Sequence, residues 1–511
     1  MDRDYKNLYQ QLVHRLEERS RLGGVMSIMH WDEEVIMPKG AAEARAKQMS
    51  ALAGVLHEKS THLALGDLFN GLNRANDTDF SDVEWCNIHE AKREYELETK
   101  IPKELVQDIA ELSSSGHHVW AKARKENRFD DFAPVLDRFI ELKKQWAGHA
   151  FPELAPYDAN IDLYERDMRM EQITPMFESL KTELLPLIRS IADSDYCPDT
   201  SFLEGEFPIE KQEVLARRIS QEMGFSFDWG RMDVSVHPFC GGGHPTDVRI
   251  TTRYRTDNFI ESLYAIIHET GHGLYEQGRM SDHPDLPVSE PLTMAIHESQ
   301  SLFWERMVGQ GFSFCDHYLD VFAGMFPENF RGVTAQSLYR AINKSQPSLV
   351  RVEADEVTYP MHIILRYEIE KGLFNGTVRV ADLPTVWNDK TEEYLGIRPP
   401  TDTLGVLQDV HWSGGAFGYF PSYTLGAMYG CQFYKAMEKE LPDIGDYIGS
   451  GNFAPIKTWL NEKIHGQGRL YTPDQLARRV TGEGLNPGIF VEHLKIKYSA
   501  IYGLSGGSMV Q

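Results

Sequence analysis

Long apolar runs and an excess of positive charge are both missing from this chain of 511 residues. No stretch approaches the ~20 consecutive apolar residues that span a bilayer. A secretory signal peptide is not expected either, because the N-terminal sequence MDRDYKNLYQQLVHRLEERS is charged throughout. With 52 Lys and Arg against 76 Asp and Glu, the net charge of −24 repels nucleic acid and anionic membrane surfaces. The composition predicts a soluble, cytoplasmic protein that binds neither nucleic acid nor membranes.

Cysteine is also scarce. The chain has five cysteines, which are widely spaced and form no C-x-x-C pair: Cys86, Cys197, Cys240, Cys315 and Cys431. This pattern argues against a disulfide framework and against a cysteine zinc site. We therefore expect buried free thiols in a reducing compartment.

Apolar residues at helical spacing run through most of the sequence. In MFESLKTELLPLIRSI (176–191) they recur every three or four positions, and the same spacing joins Val135, Phe139, Leu142 and Trp146. Such a pattern is typical of helices that bury one face. The predicted fold class is therefore mainly α, with a small antiparallel sheet.

The length of the chain bears on its domain organisation. A single core stops growing near ~250–300 residues, so 511 residues could form one domain with two lobes. The stretch 192–208 is rich in Asp, Ser, Pro and Gly and reads as a loop. We expect one domain, 1–511, divided into a helical lobe, 1–195, and a catalytic region, 196–511.

The small sheet is predicted from two segments with alternating apolar residues. These are RMDVSVHPF (231–239) and DVRITTRY (247–254), and the glycine-rich CGGGHPT (240–246) lies between them. The pattern favours a hairpin with a flexible turn. An exposed edge of this hairpin could hold an extended peptide, whereas an edge covered by a helix could not.

The clearest chemical signal is YAIIHETGHGLYEQG (264–278), which contains His268, Glu269 and His272. Asn258 followed by Glu261 predicts a helix start just before this motif. Two histidines four residues apart project from one helix face and can share a divalent ion such as Zn²⁺. The motif predicts a metal helix.

A third ligand is needed, with one position left open for water. Glu298 follows at a spacing that allows a second, antiparallel helix, and Ser289 and Pro291 are plausible residues for the start of that helix. His297 is a rival, but adjacent side chains point about 100° apart on a helix, so only one of the two can readily face the metal.

Six short segments resemble the signatures of the carboxypeptidase Taq family of metallocarboxypeptidases. They are HPF (237–239), DVRIT (247–251), HETGH (268–272), HESQ (297–300), VRVEAD (350–355) and GVLQDVHW (405–412), and the resemblance extends to MHWDEEVIMP (29–38). It implies a helical zinc-peptidase fold with a long substrate groove, usually a homodimer. It also implies a zinc or cobalt enzyme that releases residues one at a time from peptide C-termini. Val350 stands where the family more often has isoleucine.

Carried over to this chain, the resemblance assigns His268, His272 and Glu298 as metal ligands and Glu269 as the catalytic acid/base. Many zinc peptidases with a glutamate ligand have an acid four residues after it, but here that position is Leu302. The groups that orient the histidines are therefore unassigned. Asp355 and Asp409 are the candidates.

Further residues are candidates for transition-state and substrate contacts. In HWSGGAFGYFPSY (411–423), we expect Tyr423 to stabilise the oxyanion and His411 to act beside it at the substrate. The remaining candidates for substrate binding are Arg351 for the terminal carboxylate, Arg249, His237 and Tyr419. Each has a structural alternative: Arg249 could pair with Asp247, and His237 and Tyr419 could belong to the core.

Two rival functions remain open from the sequence. The same metal helix would serve an endopeptidase or a dipeptidyl carboxypeptidase with an unblocked groove. A metal-dependent binding protein with an inactive site is a second alternative, against which Glu269 argues. The preferred reading is a carboxypeptidase of broad specificity acting on peptide substrates.

Overall fold

A computed structural model describes residues 5–504 of the chain. Most of these residues are helical, which confirms the mainly α fold class. They contain twenty α-helices, numbered α1 to α20 in chain order: Tyr5–Val35, Ala42–Ser60, Leu63–Leu72, Asp82–Lys100, Lys103–Glu126, Phe129–Ala150, Pro156–Asp162, Met170–Ala192, Ile209–Glu222, Phe259–Gln277, Met294–Leu302, Phe312–Met325, Ala335–Ile342, Tyr359–Asn375, Leu383–Leu395, Pro421–Glu440, Ile444–Gly449, Ala454–Lys463, Pro473–Thr481 and Pro487–Tyr502.

Shorter helical turns complete the helical part. A π-helix, Phe303–Gly309, continues directly from α11. The 3₁₀ turns are Lys39–Ala41, Asp77–Asp79, Ser201–Leu203, Pro287–Ser289, Arg351–Glu353, Val380–Asp382, His411–Gly414 and His465–Gln467. Within residues 5–504, none of the helices has the length and apolar character needed to cross a bilayer.

The two helices predicted from apolar spacing are confirmed as α6 and α8. Phe139 and Leu142 of α6 are buried, as are Phe177, Leu184 and Ile188 of α8. Side chains three and four positions apart share one helix face, so these helices pack that face inward and leave the charged face in water.

The sheet has three strands, Gly230–Val234 (β1), Cys240–His244 (β2) and Asp247–Thr252 (β3), in the order β1-β3-β2. β1 runs parallel to β3, and β2 pairs antiparallel with β3. The predicted hairpin between the two alternating segments is therefore wrong, and the sheet is mixed. The glycine-rich stretch expected to be a turn forms strand β2 instead.

Close packing against α1 explains the glycines of β2. A Cβ atom added to Gly243 would lie 2.8 Å from the backbone oxygen of Gly24, and one added to Gly24 would lie 2.7 Å from the oxygen of Gly243. Only glycine permits two backbones to approach this closely. Further along α1, the Trp31 ring lies 4.9 Å and 4.7 Å from the guanidinium carbons of Arg231 and Arg249, which are partners across β1 and β3.

Two apolar clusters form the core of the part of the chain that the structure describes. The larger one joins residues from both sides of position 195, for example Phe177 of α8 and Ile266 of α10. The smaller one combines α1, α3 and α4 with two residues of the loop between α10 and α11; its members are Tyr9, Leu12, Leu16, Leu65, Leu68, Phe69, Leu72, Phe80, Ile88, Ala91, Leu286 and Val288. The division into lobes at residue 195 stays a prediction.

All five cysteines lie within residues 5–504 and are free. Cys315 and Cys431 are buried, whereas Cys197 is exposed. The expectation of free thiols is confirmed, and the expectation of burial holds for only part of the set.

Two adjacent glycines of α1 test the packing against β2. We expect Gly24→Ala to lower the melting temperature, because overpacking against a backbone costs ~1–3 kcal/mol. Gly23→Ala is the matched control: a Cβ there meets nothing within 4 Å, so the substitution should be neutral or stabilise the helix by about 0.5–1 kcal/mol. Equal melting temperatures for the two variants would contradict the proposed contact.

Candidate metal centre

The metal centre lies between helices α10 and α11. The side chain of Asn258 accepts a hydrogen bond from the backbone N–H of Glu261, so α10 begins where the sequence predicted. Its histidines face Glu298 of α11: the Nε2 atoms of His268 and His272 lie 3.8 Å and 3.4 Å from Glu298 Oε2. One ligand atom from each of these three residues falls within 4.8 Å of the other two.

The chemistry of this donor set fits a divalent ion. Zn²⁺ binds imidazole nitrogen and carboxylate oxygen at ~2.0–2.2 Å in tetrahedral geometry, which separates neighbouring donor atoms by roughly 3.4 Å. The distances between the histidine nitrogens and the Glu298 oxygen are of this size. Both imidazoles also use Nδ1 for hydrogen bonds within the protein, which leaves Nε2 as the metal-binding atom.

Glu305 orients the first histidine. Its Oε2 atom accepts a hydrogen bond from His268 Nδ1 at 2.7 Å. Glu305 belongs to the π-helix that follows α11, two turns beyond Glu298. Burial disfavours the imidazolium form, but the carboxylates of Glu298 and Glu305 outweigh it and raise the pKa of His268 to about 10. The same negative charges favour a bound cation at this position.

A different arrangement orients the second histidine. The Glu276 carboxylate can only accept a hydrogen bond, so His297 Nε2 donates to it, at 2.9 Å. In a neutral ring the other nitrogen of His297 is then an acceptor, and it receives the Nδ1–H of His272 at 2.6 Å. The Glu276 carboxylate thus orients His272 indirectly, through the imidazole ring of His297. Burial lowers the pKa of His272 to about 4, so its imidazole is a neutral ligand.

Two further carboxylates of the centre are ionised. Burial raises the pKa of Glu276, but the hydrogen bond from His297 and the charge of Arg279 outweigh it and lower the pKa to about 2. In the same way, the charge of His268 outweighs burial at Glu298 and lowers the pKa of Glu298 to about 2.

These contacts correct the candidates for orienting the histidines. Asp355 accepts hydrogen bonds from Ser345 and Thr358, and Asp409 binds Arg351 and Arg366. Neither aspartate is hydrogen-bonded to His268 or His272. The prediction failed because an acid four residues after the glutamate ligand was expected, whereas Glu305 follows seven residues after it. His297 was considered only as a rival ligand.

The start of α11 also differs from the prediction. Ser289 lies in the 3₁₀ turn Pro287–Ser289, and Thr293 caps the helix through a hydrogen bond from the Ile296 N–H. The buried carboxylate of Glu165 accepts a further hydrogen bond, from Ala295 N at 2.6 Å. The first N–H groups of a helix have no partner within the helix, so Glu165 helps to hold the helix that carries Glu298 by accepting from one of them.

Glu269 follows His268 on α10 and is 7% exposed. Burial raises the pKa of its carboxyl group to about 7. None of the residues 5–504 donates a hydrogen bond to this carboxylate, which distinguishes it from Glu298 and Glu305. It is therefore free to bind another molecule beside the metal ligands.

The segment 411–423 brings a group of three rings, those of His411, Tyr419 and Tyr423, to the metal centre. His411 Nε2 lies 3.3 Å from the hydroxyl oxygen of Tyr423, and the rings of Tyr419 and Tyr423 are 5.2 Å apart. Tyr423 is in the first turn of α16, which packs tightly on α11: a Cβ added to Gly426 would lie 2.8 Å from Glu298 Cβ. The structure thus brings Tyr423 close to the predicted ligand.

A buried carboxylate anchors this segment. Glu370 of α14 is fully buried and accepts hydrogen bonds from three donors: Tyr157 Oη at 2.8 Å, Trp412 Nε1 at 2.7 Å and Gly418 N at 2.9 Å. Two of these donors lie between His411 and Tyr419. Sequence reasoning missed Glu370, because no local pattern connects a mid-helix glutamate with a loop about 40 residues later.

Arg351 is fixed beside the same aromatic group. Its Nε and Nη2 atoms donate to Asp409 Oδ1 at 3.0 Å and 2.8 Å, and Nη1 donates to the Tyr359 hydroxyl oxygen at 2.9 Å. Its guanidinium carbon lies 5.0 Å from the centre of the Tyr423 ring. Arg351 is therefore a neighbour of Tyr423 and is paired with Asp409, and its role as a substrate contact stays a prediction.

The other two candidates have different surroundings. Arg249 donates to both oxygens of Asp247, at 2.8 Å and 2.9 Å, and packs on Trp31. This is the structural alternative that the sequence left open. The His237 side chain is exposed, and its backbone oxygen accepts a hydrogen bond from Ser235 at 2.6 Å. No hydrogen bond within residues 5–504 links Arg249 or His237 to the three ligand residues.

Comparison with known proteins decides the family. The model of the carboxypeptidase Taq (M32) metallopeptidases matches residues 11–498. The chain belongs to this family. The resemblance stated from the sequence is therefore confirmed, and the chain is a metallopeptidase of the carboxypeptidase type that acts on peptides. Membership of the family implies a divalent metal.

Relatives of the chain extend over its whole length. It is 39% identical to carboxypeptidase 1 of Bacillus subtilis, with 98% of this chain and 99% of that protein covered. Identity to thermostable carboxypeptidase 1 of Thermus thermophilus is 37%, with 97% and 99% covered. The crystal structure of the M32 carboxypeptidase from Deinococcus radiodurans R1 superposes with a TM-score of 0.95 at 35% identity, covering 98% of this chain and all of that one.

The hydrogen bond from His268 to Glu305 predicts an effect on metal affinity. We expect Glu305→Gln to weaken Zn²⁺ binding by about 10–100-fold, because removing the carboxylate partner of a metal-binding histidine has costs of this size. Competition with a chromophoric chelator measures the affinity. Glu328→Gln, at an exposed glutamate whose partner is Arg331, is the matched control. Unchanged affinity in Glu305→Gln would show that Glu305 does not orient the ligand.

Proposed function

We propose that this protein releases single amino acids from the C-termini of peptides, with broad specificity, by a reaction in which Glu269 is the general acid/base. The observation that carries the proposal is the position of Glu269: its free carboxylate follows directly after His268, one of three residues that form a metal-binding set. We also propose a cytoplasmic homodimer that uses zinc or cobalt, on the basis of the family resemblance.

His268, His272 and Glu298 are the proposed metal ligands. When bound, the divalent ion acts as a Lewis acid that polarises the scissile carbonyl group and makes water acidic enough to attack near neutral pH. The chain contributes the orientation of the ligands. Glu305 directs Nε2 of His268 toward Glu298, and His297 does the same for His272.

Glu269 moves the proton. Its carboxylate accepts the proton of the attacking water and then delivers it to the nitrogen of the departing amino acid. Two features support this role. The carboxylate accepts no hydrogen bond from another described residue, and burial raises its pKa to about 7, where a group can both take and give a proton near neutral pH.

Tyr423 is the proposed donor to the oxyanion of the tetrahedral intermediate. A phenolic O–H held on the first turn of a helix is a preorganised donor, which is the property that stabilises developing charge. His411 lies within 3.3 Å of the Tyr423 hydroxyl oxygen, and we propose that it orients this hydroxyl and contacts the substrate. Tyr419 lines the same side of the site.

Arg351 is the proposed partner of the substrate carboxylate. A guanidinium has five N–H groups, and three of them are used for Asp409 and Tyr359, so five minus three leaves two N–H groups for a ligand. Asp409 fixes the plane of the guanidinium, which reduces the entropy lost on binding. We propose weaker substrate contacts for Arg249 and His237, through the side of the groove formed by the sheet.

Substitution of Glu269 tests the catalytic proposal. We expect Glu269→Gln to bind Zn²⁺ as tightly as the unchanged protein and to lose about 10²–10⁴-fold in kcat, because the amide cannot accept the proton. Metal content and steady-state kinetics are measured on the same preparation. Glu210→Gln, at an exposed position of α9, should keep full activity. Full turnover in Glu269→Gln would refute the role given to Glu269.

The form of the peptide terminus separates an exopeptidase from an endopeptidase. A peptide with a free C-terminus should lose one residue per step, whereas its C-terminal amide should resist cleavage, because the amide cannot form the charged pair with Arg351. Mass spectrometry of the products over time follows both reactions. Internal cleavage of the amide would favour the endopeptidase, and release of two residues per step would favour the dipeptidyl carboxypeptidase.

A further inference from the structure

A second cavity lies outside the metal centre, between the π-helix, α12, α13, α16 and the C-terminal helix α20. Its volume is about 700 Å³, which lies within the size range of ligand pockets. Much of its wall is apolar and includes Met307, Tyr434 and Ile496. None of the three predicted metal ligands lines it. We call it the Arg306 cavity, after the residue that distinguishes it.

Arg306 carries a buried charge without a partner. The residue is 7% exposed and lines the cavity, yet its guanidinium forms no hydrogen bond and no ion pair with any of the residues 5–504. Its Nη1 atom is buried and unsatisfied, and its closest ring contact is Tyr359, 5.2 Å from the guanidinium carbon. Buried charges in proteins are normally paired, because the loss of hydration is costly.

The neighbouring carboxylates are already engaged elsewhere. Glu305 accepts the hydrogen bond from His268, and Glu356 accepts from Lys497 at 2.7 Å and from Tyr498 at 3.3 Å. Neither lies within ion-pair distance of Arg306. The charge of Arg306 is therefore left for an anion that enters the cavity.

We propose that the Arg306 cavity binds a carboxylate carried on an apolar body. The planar guanidinium suits a carboxylate, which accepts two parallel hydrogen bonds from it. Among the lining residues, Lys497 is paired with Glu356 and Lys435 with Glu492. Two guanidinium groups, those of Arg306 and Arg340, and one carboxylate, that of Glu438, have no ion-pair partner within residues 5–504. The wall is thus left with one net positive charge, which matches one negative charge on a ligand. The apolar wall accommodates the rest of the molecule by excluding water from it.

The cavity adjoins the metal centre through the π-helix. Two consecutive residues of this helix have different surroundings: Glu305 binds His268 at the metal centre, and Arg306 lines the cavity. π-Helical turns are rare and occur frequently at functional sites. On the other side of Arg306, the hydroxyl group of Tyr359 binds Arg351. An occupant of the cavity would thus contact a residue directly between two parts of the active site.

Two kinds of molecule carry a carboxylate on an apolar body: fatty acids and apolar amino acids released from peptides. An amino acid also carries an ammonium group, which an apolar wall does not pair. We therefore expect octanoate to bind more tightly than leucine, and both serve as probes in isothermal titration calorimetry on the full-length protein. Octanol, which lacks the carboxylate, is the matched control for binding through the apolar chain alone.

Two variants test whether octanoate binds in the Arg306 cavity. Arg306→Met keeps the length of the side chain and removes its charge, and we expect octanoate affinity to fall by about tenfold or more, the usual cost of losing a charged hydrogen-bond partner. Ala500→Trp, at an exposed position on the rim, fills the cavity without altering the core and should also abolish binding. It keeps the experiment decisive if Arg306→Met fails to fold. Arg331→Met, at an exposed arginine outside the cavity, should leave binding unchanged.

Octanoate could also bind at the metal centre, so its position must be seen directly. Crystals soaked with 8-bromooctanoate should show the anomalous signal of bromine between α16 and α20. Three results would overturn the proposal: no heat of binding at about 10 mM octanoate, where even a millimolar Kd is detected; equal affinity in the unchanged protein and in Ala500→Trp; or a bromine signal confined to the metal centre. These measurements do not depend on peptidase activity, so they are independent of the role proposed for Glu269.

Discussion

The arrangement of the metal centre depends on one hydrogen bond to each histidine. An imidazole can turn about its bonds to the helix, and it serves as a ligand only when Nε2 faces the third donor. The contacts at Nδ1 impose this orientation: Glu305 holds His268, and His297 holds His272. Three helical segments must therefore stay in register, because the two ligand histidines come from α10, Glu298 and His297 from α11, and Glu305 from the π-helix. The tight packing of glycines against these helices serves this requirement.

Buried acids organise the opposite wall of the site. Asp409 binds Arg351 through one oxygen and Arg366 through the other, and these two positive charges overcome the effect of burial and keep the pKa of Asp409 well below its usual range. Glu370 is held by three neutral donors instead. Each acid joins a helix to the segment that contains His411. Breaking the pairs of Asp409 is expensive, because a buried charge would lose its partner, and breaking the hydrogen bonds of Glu370 would leave buried polar groups unsatisfied.

The sequence predicted those features that depend on local spacing. The i,i+4 histidines, the cap at Asn258 and the helices α6 and α8 follow from periodicities that act within a few residues, and the family signatures located Glu298. The topology of the sheet was not accessible in this way. β1 pairs with β3 in parallel, and the glycines of β2 are explained by α1, more than 200 residues earlier. Glu276 could have been found, because it continues the four-residue spacing of His268 and His272. Glu370 and Arg306 depend on contacts between distant segments, which no local pattern records.

The smaller apolar cluster has a mechanical consequence. Leu286 and Val288 are anchored among α1, α3 and α4, although they belong to the loop that connects the two ligand-bearing helices. Asn87 of α4 strengthens this attachment by accepting a hydrogen bond from the Val288 N–H at 2.9 Å. The first helices cannot swing outward without either exposing these side chains to water or dragging the loop with them. The placement of the first helices and the separation of His272 from Glu298 are thereby coupled through a single loop.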